Sequence, residues 1–119
     1  MRPQRGYGVV MERLHAILEF PATGARRRLA AVRVRVEDTS RADAAADVVA
    51  EKTLTDVEVP AEGGAVEVDL DYPTPGPGSR FTVRAHGSAS GSADFATGDF
   101  LTTRAVPAAA DVRVPLQAI

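Results

Sequence analysis

The sequence predicts an all-β protein: a single antiparallel β-sandwich of about seven strands, Greek-key and prealbumin-like in type. Three observations carry this expectation. Apolar and polar residues alternate with period two in segment after segment, Gly and Pro residues interrupt the alternation every dozen or so residues, and no continuous apolar stripe of period 3.6 marks a long helix.

The elements follow in chain order. Residues 1–10 show no pattern and are expected to be a disordered extension, with the folded domain spanning 11–119. Leu14, Ala16, Leu18 and Phe20 alternate with Arg13, His15, Ile17 and Glu19, which predicts a strand that Pro21 ends. Ala30, Val32, Val34 and Val36 alternate with Ala31, Arg33, Arg35 and Glu37 in the clearest strand of the chain. The alanine-rich stretch 41–54 has helix propensity but no helical stripe, so it predicts a loop or one helical turn at 40–46. A strand over about 47–58, able to accommodate a bulge, follows it. After Pro60 and Gly63-Gly64, the residues Val66, Val68, Leu70 and Tyr72 alternate with Glu67, Asp69 and Asp71. Pro73 to Ser79 is a stiff loop, and Phe81, Val83 and Ala85 begin the next strand. Residues 87–92 read as a hairpin tip with a return strand near 94–104, and Val112, Val114 and Leu116 make the last strand.

Composition removes several classes of function. The 119 residues contain no Cys, which excludes disulfides, thiolate metal sites and a cysteine nucleophile. A zinc site needs about four ligands, and His15 and His86 stand alone on outward strand positions, so no metal or cofactor is expected. No Gly-x-Ser-x-Gly elbow is present, and an enzyme is not expected. Residues 1–35 carry a net charge of +6 and residues 36–119 a net charge of −8. The run Arg26-Arg27-Arg28 could touch phosphates, but without interleaved aromatics it reads as a solvated hairpin tip, and no nucleic-acid partner is expected. Instead, Arg33 and Arg35 match the acids Glu67, Asp69 and Asp71 in period, which predicts cross-strand ion pairs if the two strands are neighbours. Met1 to Met11 holds no signal-peptide core and no apolar window of about 18 residues occurs, so the chain is expected in the cytoplasm, with no membrane span and no lipid anchor.

One constellation stands out: Asp38, Ser40, Arg41 and Asp43. Asp and Ser side chains bond nearby backbone amides and hold strand-end turns, so these residues form either a structural loop or a partner contact. The block from Val36 to Lys52, which reads Val-Glu-Asp-Thr-Ser-Arg-Ala-Asp before Val49-Ala50-Glu51-Lys52, resembles the YbaY/YscW family of bacterial lipoproteins. Leu70-Asp71-Tyr72 and Phe81-Thr82-Val83-Arg84-Ala85 are similar to later segments of that family, and the likeness spans roughly 13–118. The resemblance implies a β-sandwich, an envelope location for related proteins and a pilotin-like role, with a protein partner or self-association. The alternative is a sandwich binding a small ligand or carbohydrate, which would need an aromatic-lined pocket from a chain with only four Phe and two Tyr.

Overall fold

The computed structural model describes residues 10–41 and 45–119. The described residues form eight strands and no helix: β1 (Met11–Phe20), β2 (Arg27–Asp38), β3 (Asp47–Val59), β4 (Gly64–Pro73), β5 (Phe81–Ser88), β6 (Phe100–Thr102), β7 (Val106–Pro107) and β8 (Asp111–Ala118). Hydrogen bonds join them in the order β3-β2-β5-β6-β8-β1-β4, with β7 on β5. The result is one mixed sheet, nearly closed into a barrel.

Two features differ from the expected antiparallel sandwich of about seven strands. β8 runs parallel to β1, with Ala16 beside Val112 and Leu18 beside Val114. β8 also switches partners along its length, since Leu116, Gln117 and Ala118 pair antiparallel with β6. This strand therefore stitches the two halves of the path together. The remaining gap lies between β3 and β4, which are consecutive in the chain and joined by a tight turn. Gly63 in that turn has φ of 87°, and a Cβ there would lie 2.6 Å from the Phe20 carbonyl oxygen, so only glycine lets the turn pack on the end of β1.

The alternation read from the sequence is the core pattern. Leu14, Ala16, Leu18 and Phe20 of β1 are buried, as are Val32, Val34 and Val36 of β2 and Val68, Leu70 and Tyr72 of β4. Phe20 meets the fully buried Phe100 edge to face at 5.2 Å, an arrangement worth about 0.5–1.5 kcal/mol beyond burial. Gly87 makes room for it, because a Cβ there would lie 2.8 Å from Leu29 Cδ1 and 3.5 Å from Phe100 Cβ. A register shift at Val36/Glu37 leaves one extra residue on β3, the bulge that its strand could accommodate.

The predicted charge pairing between β2 and β4 does not occur, because β2 lies between β3 and β5 while β4 lies beside β1. Asp71 pairs with Arg13 at 2.7 Å, and His15 lies 2.6 Å from Asp69 and 2.8 Å from Glu67. Glu51 of β3 takes Arg35. The arginine run is also not a single tip: Arg26 precedes β2, and Arg27 and Arg28 begin it, with the Arg27 Nε buried and unpartnered among the described residues. Except for Val10, whose carbonyl accepts from Thr74 N–H, the segment expected to be disordered lies outside the described residues.

Candidate functional site

β2 and β5 lie side by side, and their outward residues form one face. Arg33 stands opposite His86, Arg35 opposite Arg84, and Glu37 opposite Thr82. Arg35 Nε donates to the Glu51 carboxylate at 2.5 Å from the other side of β2. Arg84 is exposed and, among the described residues, makes no ion pair. Two arginines thus sit directly across from each other, and among the described residues only Arg35 has a carboxylate partner, Glu51, on its far side from Arg84.

Part of this face is roofed. The expected return strand near 94–104 is a strand only at Phe100–Thr102, and residues 89–99 form a loop folded over β5. The reason is Asp99, whose side chain takes up backbone donors that a sheet ladder would otherwise use. Its carboxylate accepts from Ala89 N–H at 3.0 Å and Ala96 N–H at 3.1 Å, and His86 Nε2 lies 2.8 Å away. Burial pushes this carboxyl up, but the bonds from His86, Ala89 and Ala96 outweigh burial and hold it below its ordinary value. Arg33 fastens the far side of the loop, donating to the carbonyls of Gly91 at 2.6 Å and Ser92 at 3.1 Å. Gly98 N–H and Ile119 carbonyl, together with Ile119 N–H and Asp99 carbonyl, tie its base to the end of the chain.

His86, whose outward strand position was compatible with a solvated or a cross-strand role, is consequently buried against Asp99. The same roof leaves Phe95 63% exposed, with its ring 4.8 Å from His86 in an edge-to-face contact. Beneath the loop margin is a groove of about 150 Å³, lined among others by Arg33, Arg35, Arg84, His86, Phe95 and Leu101. It is smaller than the roughly 300–1,000 Å³ of a small-molecule pocket. Sequence reasoning placed the arginines outward but missed the groove. A lone Phe within the Gly, Ser, Ala and Asp of residues 87–99 was the available signal.

The predicted constellation resolves differently. Asp38 Oδ1 accepts from Ser40 N–H at 3.0 Å and from the Ser40 hydroxyl, and Thr39 N–H donates to the Arg80 carbonyl at 2.8 Å. The Ser40 side-chain bond, then its backbone bond, lower the Asp38 carboxyl below its ordinary value against a smaller opposing effect of burial, with the Arg41 charge adding. Asp38 and Ser40 therefore form a strand-end turn, with Arg41 close enough to line the same shallow hollow. Asp43 lies outside the described residues. No group of three or more His, Asp or Glu residues suited to a metal occurs among the described residues, and they contain no helix long and apolar enough to cross a membrane.

No family model and no curated protein matches the chain. Among solved structures it is similar to an alternative pilotin from the type II secretion system of Vibrio cholerae. The two share 18% sequence identity at a TM-score of 0.65, over 92% of this chain and 98% of that one. At that identity the likeness is one of fold.

Proposed function

We propose that this chain is a non-enzymatic, pilotin-like domain that binds a protein partner. The observation that carries the reading is Phe95: a large apolar side chain, 63% exposed, on a loop braced by hydrogen bonds at both ends and set beside a cationic groove. An aromatic displayed from a fixed loop is a contact residue in waiting, since Phe and Arg are enriched at protein interfaces. The similarity of fold to a secretion-system pilotin supports the same direction. So does the resemblance of the Val36–Lys52 and Leu70–Ala85 segments to the YbaY/YscW family. Within this reading the strand path is a sandwich whose two layers share β8.

Affinity capture from the source cells with the full chain as bait, read by mass spectrometry, tests the proposal. Recovery of a secretion or envelope component is the expected result, and recovery of nothing above an unrelated β-domain control would count against it. Light scattering on the purified chain distinguishes a partner-binding monomer from a self-associating one.

A further inference from the structure

We infer that the groove between Arg35, Arg84 and Phe95 receives an acidic side chain, flanked by an apolar one, from an extended segment of a partner protein. The inference rests on the partner-binding reading and supplies the chemistry of the partner.

The charge arrangement is the first reason. Like charges directly opposite on neighbouring strands repel, and Arg35 and Arg84 are such a pair. Among the described residues Glu51 balances Arg35 alone, and the Arg84 guanidinium has no carboxylate partner and presents a fork of donors at the groove. A carboxylate accepts from such a fork through two parallel bonds, and clusters of Arg are a recurring means of reading acidic motifs. Placed between the two strands, one carboxylate would relieve the repulsion that the isolated chain retains.

The walls give the second reason. Phe95 borders the cationic end with apolar surface, and its edge contact with His86, together with the ties of Asp99 and Arg33 to the loop, fixes its position. Little ordering is then left to be done on binding at this side of the contact. The occupant that fits carries a carboxylate beside an aliphatic or aromatic group.

Size and flanking charge select a peptide over a nucleic acid. A groove of about 150 Å³ takes a side chain and not a run of nucleotides. Glu37 lines the groove at one end and Glu51 sits behind Arg35. A phosphodiester chain passing over the arginines would meet both carboxylates, whereas a single acidic side chain enters between them.

The test uses the full chain and a short fluorescein-labelled peptide of alternating Glu and Phe with both ends blocked. Its Gln-for-Glu counterpart and a single-stranded DNA oligonucleotide serve as comparisons, all followed by fluorescence anisotropy at low salt. The acidic peptide should bind and the Gln peptide should not. Arg84→Gln should weaken binding by about tenfold, as loss of a charge-assisted bond does, and Phe95→Ala should weaken it several-fold. Arg113→Gln, which removes an ion pair with Glu19 away from the groove, should leave binding unchanged. Equal binding of the Gln peptide, binding indifferent to Arg84→Gln and Phe95→Ala, or displacement of the peptide by DNA would overturn the inference. If Arg84→Gln captures the same partner from source cells as the wild-type chain does, the groove is wrong and the partner-binding reading stands. If the peptide binds as expected and neither chain captures a protein, the groove stands and the pilotin-like reading falls.

Discussion

His86 Nε2 lies 2.8 Å from Asp99 Oδ2, and this contact joins the central strand β5 to the loop that presents Phe95. With the carboxylate ionised, Nε2 must carry the proton that it donates. The aspartate is 1% exposed and the histidine 8% exposed, so the contact is shielded from water.

Replacing Asp99 by Ala strands three donors at once: the Ala89 and Ala96 amides and the His86 ring. The expected cost is about 2–3 kcal/mol, measured by urea unfolding. Because the folded Asp99 carboxyl sits below its ordinary value, its contribution is present above about pH 4 and is lost as pH falls through the folded value. Asp99→Asn should therefore show a shallower loss of stability than wild type below about pH 4.

The opposite sign applies to His15. Its imidazole is raised above the ordinary histidine value, first by the bond to Asp69 against an opposing effect of burial, with the Asp69 charge and Glu67 adding. The stabilisation is complete below about pH 6.5 and fades as pH rises through the raised folded value. His15→Gln should flatten the pH dependence of the urea midpoint on the alkaline side of about pH 6.5, and an unchanged slope would refute the assignment.

Three glycines make a graded series. Gly63→Ala places a Cβ 2.6 Å from the Phe20 carbonyl oxygen and 2.8 Å from Ala22 N at a φ of 87°, and backbone cannot give way. Gly87→Ala meets Leu29 Cδ1 at 2.8 Å, a side-chain methyl in a packed core, and should cost about 1–3 kcal/mol. Gly76→Ala meets nothing within 4 Å and should leave the melting temperature unchanged or slightly raised. Thermal unfolding should order the variants with Gly63→Ala the least stable.

Lys52 guards the open side of the sheet. It stands opposite the buried Val34, so it lies on the core-facing side of β3, whose other edge has no strand partner among the described residues. With Arg13, Glu51, Asp69 and Asp71 it lines the trough between the ends of the strand path. A charge directed inward at an exposed edge deters pairing with another chain. Lys52→Val should shift light-scattering mass upward with concentration, and a variant that stays at the wild-type mass would remove this role from Lys52.

Period two was enough to find β1, β2, β4, β5 and β8, because alternation assigns each side chain to a face, while β3 was read from the lack of a helical stripe. It says nothing about which strand lies next to which. The acids of β4 matched Arg33 and Arg35 as well as they matched Arg13 and His15, and only the topology chose the latter pair. The same limit hid the groove, since Arg35 and Arg84 meet through a register that neither segment encodes alone. β7 has two residues, too few for any period to show. Asp99 was unreadable for a different reason: one carboxylate replaced a stretch of ladder bonds, and composition does not distinguish an aspartate aimed at backbone amides from a solvated one.

The two neighbours of β1 are β4 and β8, both distant in sequence, and with β8 the pairing is parallel. During synthesis β1 emerges long before either neighbour, with its Leu14, Leu18 and Phe20 face uncovered and both strand edges vacant. No hairpin can shelter it in the interval. Contacts of this separation place the chain among slow folders, on the scale of milliseconds to seconds, and the sheet path is not complete until β8 fits between β6 and β1. A nascent chain stalled before β8 is therefore an aggregation-prone species and a natural client for a chaperone.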